Sequence, residues 1–154
     1  MDKKELFDDI RKKIDDIISA PGECDEKLQS ICDTLRNEVE HYDWVGFYLT
    51  VPNGEELTLG PYTGDRTDHT CIPFGKGVCG QAAAGKKTII IQDVARETNY
   101  LSCSPDVKSE IVVPLFKSGE VAGELDIDSH ALAPFSPEDR AFLEAVCKVV
   151  ETII

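Results

Sequence analysis

The sequence has few basic residues and no long apolar run. Its 154 residues include 29 Asp and Glu against 16 Lys and Arg, which gives a formal net charge of −13. Because no basic stripe interrupts this charge, nucleic acid and anionic membrane surfaces are poor candidate partners. No segment approaches the roughly 18 consecutive apolar residues of a bilayer span, and the N-terminus lacks the apolar core of a signal sequence. We therefore expect a cytoplasmic protein without a membrane partner.

The sequence also lacks the cysteine spacings of a zinc site. It has six cysteines but no C-x-x-C and no paired His/Cys knuckle, so we predict no metal site and no bound cofactor. In a reducing compartment, cysteines are more often buried small hydrophobes or redox-active thiols than permanent disulfides. Cys32 and Cys147 lie on or beside apolar helix stripes, where core packing explains them. The remaining four are Cys24, Cys71, Cys79 and Cys103.

Hydrophobic periodicity predicts a single α+β domain over residues 1–154. Apolar residues at helical spacing indicate two helices within residues 1–40, and a further helix over 136–154 that begins at the N-cap Ser136. Between them, residues 43–128 alternate with a period of two and contain turn signals, which predicts an antiparallel sheet. We expect the helices to cover one sheet face and a small-ligand pocket to occupy the other.

Three carboxylates alternate along the last predicted strand. Glu124, Asp126 and Asp128 are separated by apolar residues, so the acids share one face of the strand. In a pocket, carboxylates this close raise one another's pKa, and one of them could hold a proton near neutral pH and donate it. The same pattern is equally typical of a solvated outer sheet face. Two interpretations also remain for the aromatic residues Trp44 and Tyr48, which share a strand face. They either belong to the core or form the walls of a pocket for a thioether or methyl group.

Two cysteines lie in segments that favour a reactive thiol. Cys103 belongs to an irregular loop rich in Ser and Pro, and an exposed thiol in a cytosolic protein is a liability unless it is used. Cys79 lies in a glycine-rich turn at the start of a helix, where backbone amides and the helix dipole favour a thiolate. The two could form a disulfide or be unrelated, because sequence alone does not give the distance between them.

Several blocks, in order along the chain, resemble the GAF-domain free methionine-(R)-sulfoxide reductases. The most specific are G-K-G-V-C-G at residues 75–80 and L-D-I-D-S at residues 125–129. D-W-V-G-F-Y-L at 43–49, G-P-Y at 60–62 and S-E-I-V-V-P-L at 109–115 accompany them. The resemblance implies a GAF-like domain with a roughly six-stranded antiparallel sheet, flanking helices and a small closed pocket.

The resemblance also implies roles for individual residues. Cys103 matches the family's catalytic cysteine and Cys79 its resolving cysteine. The pocket carboxylates and the aromatic residues of the methyl pocket match Glu110, Asp126, Asp128, Trp44 and Tyr48. Many members have a cysteine where this sequence has His69. Cys71 stands two residues later, on the same face of a strand, and either replaces that cysteine or is incidental.

The implied activity is reduction of free methionine-(R)-sulfoxide with electrons from thioredoxin or a similar dithiol. The Cys103 thiolate would attack the sulfoxide sulfur while a carboxylic acid protonates the oxygen. The resulting sulfenic acid would condense with Cys79, and the dithiol would reduce the disulfide. The alternatives are a non-catalytic GAF small-ligand sensor, which an acidic pocket suits badly if the ligand carries phosphate, and an interaction protein with incidental thiols. Pairing through terminal helices would make the protein a homodimer.

Overall fold

The computed structural model describes residues 2–101 and 104–154. Helices begin and end the element order, with the strands and one short α-helix between them, and none of the helices in the described ranges is long and apolar enough to cross a bilayer. In chain order the elements are α1 (Lys3–Ser19), α2 (Cys24–Glu38), β1 (Trp44–Thr50), β2 (Glu56–Thr63), β3 (Cys71–Pro73), α3 (Gly77–Gly85), β4 (Ile89–Ile91), a 3-10 helix (Val94–Arg96), β5 (Ser109–Lys117), β6 (Glu120–Ser129) and α4 (Pro137–Val150).

The six strands form one antiparallel sheet in the order β3-β2-β1-β6-β5-β4. Strands β1 and β6 lie side by side at its centre, with Trp44 opposite Asp128. In the same pair, Tyr48 lies opposite Glu124. Because opposite residues of paired strands share a face, this register places the aromatic side chains of β1 beside the acids of β6. The predicted six-stranded antiparallel α+β fold is confirmed.

Helices α1, α2 and α4 pack on one face of the sheet. Apolar residues recur along each of them at helical spacing, and their buried side chains meet the alternate residues of the central strands. The sheet residues in this core are Val45, Phe47, Ile111, Val113, Leu115, Leu125 and Ile127. Cys32 and Cys147 are buried in the same core, as their helical positions predict.

The shorter helix α3 packs on the opposite face, against β5 and β6. Its first turn lies directly on the turn that follows β3, and Gly80 makes that approach possible. A Cβ at Gly80 would lie 2.5 Å from the carbonyl oxygen of Pro73, which no real side chain tolerates. Small residues therefore let α3 close over the face of the sheet that carries the acids.

A buried carboxylate connects the N-terminal helix with the start of α4. Asp139 accepts hydrogen bonds from the backbone N–H and hydroxyl of Ser136, at 2.9 and 2.8 Å, and so completes a capping box. It also accepts from Lys3 and from the Tyr42 hydroxyl (2.8 Å), and contacts His41 Nε2 at 2.7 Å. Burial alone would raise the pKa of Asp139, but the hydrogen bonds from His41, Lys3 and Ser136 outweigh it and hold the pKa well below the usual range.

Replacement of Asp139 by Asn should lower the free energy of unfolding at pH 7 by about 2–4 kcal/mol, because it removes a charged acceptor from buried donors. The lowered pKa gives stability that is fully present above the ordinary aspartate pKa of about 3.9 and is lost as the pH falls below it. Urea unfolding at pH 7 and pH 3 should therefore show a smaller difference between the two proteins at pH 3. The exposed neighbour provides the control, since Glu138→Gln should change stability by less than about 0.5 kcal/mol. Equal losses in the two variants would contradict the assignment.

Candidate active site

The acids of β6 are buried. Glu124, Asp126 and Asp128 are 0%, 1% and 1% exposed, and Glu110 at the start of β5 lies opposite Asp128 and is 3% exposed. The sequence pattern allowed either a pocket or a solvated outer face, and the structure has the covered arrangement. Four carboxylates therefore share one enclosed face of the sheet, with α3 packed over part of it.

A small cavity lies between these acids, α3 and the segments that precede β3 and β5. Its volume is about 10 Å³, about the space of one water molecule. Its walls come from six separate parts of the chain and consist of Tyr48, His69, Ile72, Lys76, Gly77, Val78, Cys79, Leu101, Glu110 and Asp126.

Cys79 brings a thiol into the acid cluster. Its Sγ is 3.9 Å from Glu110 Oε2, and the Cys79 sulfur and one oxygen each of Glu110 and Asp126 lie within 4.8 Å of one another. Burial raises the pKa of the Cys79 thiol well above its ordinary value, and the negative charges of Asp126 and Glu124 raise it further. The expectation that the helix N-terminus favours a thiolate at Cys79 is therefore wrong, because burial and nearby carboxylates outweigh the helix dipole.

The same enclosure favours the protonated forms of the acids. Burial raises the pKa of Asp126, and it raises the pKa of Glu124, which the charge of Asp126 raises further. One oxygen of Asp126 and both oxygens of Glu124 are buried without a hydrogen-bond partner in residues 2–101 and 104–154. A carboxyl group with a raised pKa can hold a proton at neutral pH and deliver it to a bound molecule.

The aromatic residues of β1 stand at different depths in the site. Tyr48 lines the cavity, and its hydroxyl donates to the carbonyl oxygen of His69 at 2.8 Å, which holds the segment before β3 over the cavity. Trp44 stacks on Tyr62 with ring centroids 5.4 Å apart and lies 6.4 Å from the ring of Tyr48. A Cβ at Gly46 would lie 2.4 Å from the Trp44 indole, so glycine is required there. Trp44 thus supports the wall without lining the cavity.

Asn99 ties the segment that precedes β5 to the start of α3. Its Oδ1 accepts from the Gly77 N–H at 2.8 Å, and its Nδ2 donates to the Gly75 carbonyl at 2.9 Å. Gln81 adds a hydrogen bond from its Nε2 to the Asn99 carbonyl at 3.1 Å. These contacts bring Leu101 into the cavity wall.

Within the described residues, the predicted site residues separate into three groups. The cavity wall contains Cys79, Glu110, Asp126 and Tyr48, whereas Asp128 and Trp44 are buried beside it. Cys71 is exposed on β3, and strand alternation turns it away from the cavity that its neighbour Ile72 lines. Cys103 lies outside the described residues.

Three residues contribute to the site without having been predicted as site residues: His69, Lys76 and Asn99. The family resemblance includes the positions of His69 and Lys76, but tertiary contacts set the path of their loops, so no spacing rule places these side chains in the cavity wall. One feature of the sequence could have identified Asn99. An asparagine side chain has both a donor and an acceptor, so it can bind the free backbone groups of a turn such as the glycine-rich start of α3.

Comparisons with known proteins find relatives along nearly the whole chain. The model of the GAF domain family matches residues 23–154. GAF domain-containing protein A of Dictyostelium discoideum is 34% identical over 149 residues, which are 97% of this chain and 92% of the relative. Free methionine-R-sulfoxide reductase of Escherichia coli is 30% identical over 154 residues, which cover 100% of this chain and 92% of that enzyme.

A solved structure shows the same architecture at higher identity. The X-ray structure of the free methionine-R-sulfoxide reductase from Neisseria meningitidis, in complex with its substrate, superposes with a TM-score of 0.93. Its sequence is 36% identical, and the match covers 99% of this chain and 90% of that one. The cavity described above therefore lies in a fold that matches an enzyme solved with substrate bound.

The burial of Cys79 predicts a difference in thiol reactivity within the native protein. A short iodoacetamide pulse at pH 7.5 should modify exposed Cys71 at least about tenfold faster than Cys79, because the thiolate is the reactive form and must be accessible. Mass mapping of the cysteine peptides gives both rates in one sample. In guanidinium chloride the two rates should converge. Similar rates for the two thiols in the native protein would contradict the enclosed cluster.

Proposed function

The chain belongs to the GAF domain family and, within it, to the free methionine-(R)-sulfoxide reductases, and we propose that it reduces free methionine-(R)-sulfoxide to methionine. One observation carries the proposal: Cys79, Glu110 and Asp126 converge on a small cavity, in a fold that matches a reductase solved with its substrate. Sulfoxide reduction needs an acid beside a thiol, because oxide is a poor leaving group until it is protonated. The cavity wall supplies such an acid.

Cys103 is the nucleophile in this proposal. The argument for it is the family match, together with its place in the chain two residues after Leu101, which lines the cavity. Its thiolate attacks the sulfoxide sulfur, the oxygen is protonated and transferred, and methionine leaves. Cys103 is then a sulfenic acid, so sulfur of the protein is oxidised while sulfur of the substrate is reduced.

Asp126 is the proton donor that the geometry favours. It lines the cavity, one of its oxygens has no hydrogen-bond partner in the described ranges, and burial raises its pKa. Glu110, with Asp128 beside it, holds the ammonium group of the substrate. A methionine sulfoxide inside a polypeptide has no such ammonium, so the acid cluster selects the free amino acid. Trp44 and Tyr48 shape the wall against the methyl group and so select the R epimer.

Cys79 resolves the sulfenic acid. Its S–H proton and the Cys103 hydroxyl leave together as water while the disulfide forms, and a thioredoxin-like dithiol then reduces the disulfide. Cys71 is not needed for this cycle, because it is exposed and lies outside the cavity wall. The thioredoxin-like reductant, the homodimer and the cytoplasmic location remain predictions of the sequence.

A coupled assay tests the activity directly. With thioredoxin, thioredoxin reductase and free L-methionine-(R)-sulfoxide, the protein should consume one NADPH per methionine formed. The S epimer and the N-acetylated substrate should give no consumption, since one misplaces the sulfoxide oxygen and the other lacks the ammonium. A small-ligand sensor would bind the compound and consume no NADPH, which would overturn the proposal.

Cysteine variants separate the two proposed thiol roles. Cys103→Ser should lose activity by about 10³-fold or more, as expected for loss of a nucleophile. Cys79→Ser should form one methionine per protein and then stop, because the sulfenic acid has no resolving partner. Cys71→Ser should turn over at the wild-type rate within about twofold. Methionine formed in a quenched reaction without reductant measures the single turnover, and a fully active Cys103→Ser protein would refute the assignment.

The proton donor gives a pH prediction. Because protonated Asp126 is the active form and its pKa is raised, kcat/KM should fall as the pH rises through that raised value. Asp126→Asn should lower kcat/KM by about 10²–10⁴-fold and remove this alkaline limb. Glu120→Gln, an exposed change on the same strand, should leave both rate and profile unchanged. An Asp126→Asn protein that keeps the wild-type pH profile would exclude Asp126 as the donor.

A further inference from the structure

The Cys79 cluster has the donor set of a three-ligand metal site. One thiol sulfur and two carboxylate oxygens, from Cys79, Glu110 and Asp126, lie within 4.8 Å of one another, and all three residues are buried. These residues come from α3, β5 and β6, so no short sequence spacing links them. Zinc-site spacings are therefore absent from the sequence although the fold brings suitable donors together.

The distance between the Cys79 sulfur and the Glu110 oxygen is close to that in a zinc coordination sphere. With Zn–S near 2.3 Å and Zn–O near 2.0–2.2 Å, a tetrahedral ion separates sulfur and oxygen donors by about 3.5 Å. Cys79 Sγ and Glu110 Oε2 are 3.9 Å apart. A side-chain adjustment of a few tenths of an ångström would close this gap. The adjoining cavity leaves a fourth position for water, as in zinc sites with three protein ligands.

A second observation is an unsatisfied oxygen on one of the three proposed ligands. Asp126 is 1% exposed, and its Oδ1 accepts no hydrogen bond from the described part of the chain. Glu124, fully buried on the same strand face, has neither oxygen hydrogen-bonded in that part. Buried carboxylates without donors are costly unless a proton or a cation neutralises them. A divalent cation at this position would satisfy Asp126 and bring two positive charges to the cluster.

We propose that Cys79, Glu110 and Asp126 bind a divalent zinc ion, which holds the Cys79 thiol as a thiolate and closes the site to redox chemistry. On binding, the S–H bond breaks, sulfur bonds to the metal and the proton passes to solvent. No electron is transferred. The mixed sulfur and oxygen donor set favours zinc over magnesium and calcium, which prefer oxygen donors alone. Zinc therefore acts as a reversible inhibitor that competes with oxidation of Cys79.

Cobalt(II) is the probe, because it occupies zinc sites and absorbs in the near ultraviolet when a thiolate is bound. Titration of the fully reduced protein with Co²⁺, without substrate, should produce such a band with one-to-one stoichiometry. Added Zn²⁺ should abolish the band by displacement. Binding is measured without turnover, so a negative result here leaves the proposed reductase activity untouched, and an inactive enzyme leaves the metal site testable.

Matched variants assign the ligands. Cys79→Ser should abolish the band, whereas Cys71→Ser, which removes the exposed thiol, should leave it unchanged. Asp126→Asn keeps the thiol and should weaken Co²⁺ binding by at least about tenfold, so the test does not rest on one variant. Far-ultraviolet circular dichroism checks that each variant is folded. No band in the wild type, a band that survives Cys79→Ser, or unchanged affinity in a folded Asp126→Asn protein would overturn the site.

Discussion

The burial of several carboxylates on one sheet face constrains the rest of the structure. A carboxylate removed from water is costly unless it is protonated or paired, and here Glu110, Glu124, Asp126 and Asp128 are all buried together. The raised pKa values of Glu124 and Asp126 are one response to that cost. An affinity for positively charged groups is the other. Both responses suit the proposed reaction, in which the cavity holds an ammonium group and delivers a proton.

The sheet accommodates the buried carboxylates because its two faces have different residues. Alternation along β6 sends Leu125 and Ile127 into the helical core and the acids to the opposite side. The apolar core under α1, α2 and α4 supplies the stability, while the Asp139 hydrogen bonds connect the start of the chain to α4. The acid face has its own, smaller apolar cluster, in which Val78 and Ala82 of α3 pack with Val112 of β5, so the site lies inside a packed layer.

Patterns of local origin were predicted well from the sequence. The period of two along β6, the helix start at Ser136 and the short helix at Gly77 follow from residue types a few positions apart, and the structure has all three. The family resemblance, which rests on blocks of sequence, identified the fold correctly. These features depend on near neighbours, so a single sequence contains them.

Tertiary contacts decided what the sequence left open. Whether the acids were solvated depended on the closure of α3, which needs Gly80 against Pro73 and Asn99 bound to Gly77. The acidity of Cys79 was predicted with the wrong sign, because a helix start is visible in sequence and four carboxylates from two other strands are not. Cys71 and His69 were expected to share a face, but β3 begins only at Cys71.

The same electrostatics couple the chemical steps to occupancy of the cavity. Burial and the nearby acids favour the thiol form of Cys79, so the sulfur that is proposed to resolve the sulfenic acid is protected from adventitious oxidation. In the proposed reaction, the bound ammonium neutralises part of the cluster and so lowers the barrier to a thiolate at Cys79 after Cys103 has been oxidised. The proposed zinc ion would also neutralise the Cys79 cluster, but the deprotonated Cys79 sulfur would stay bound to the metal. In these proposals, the negative charge that prepares the site for an amino acid also makes it sensitive to zinc, because a Cys79 sulfur bound to metal cannot resolve the Cys103 sulfenic acid.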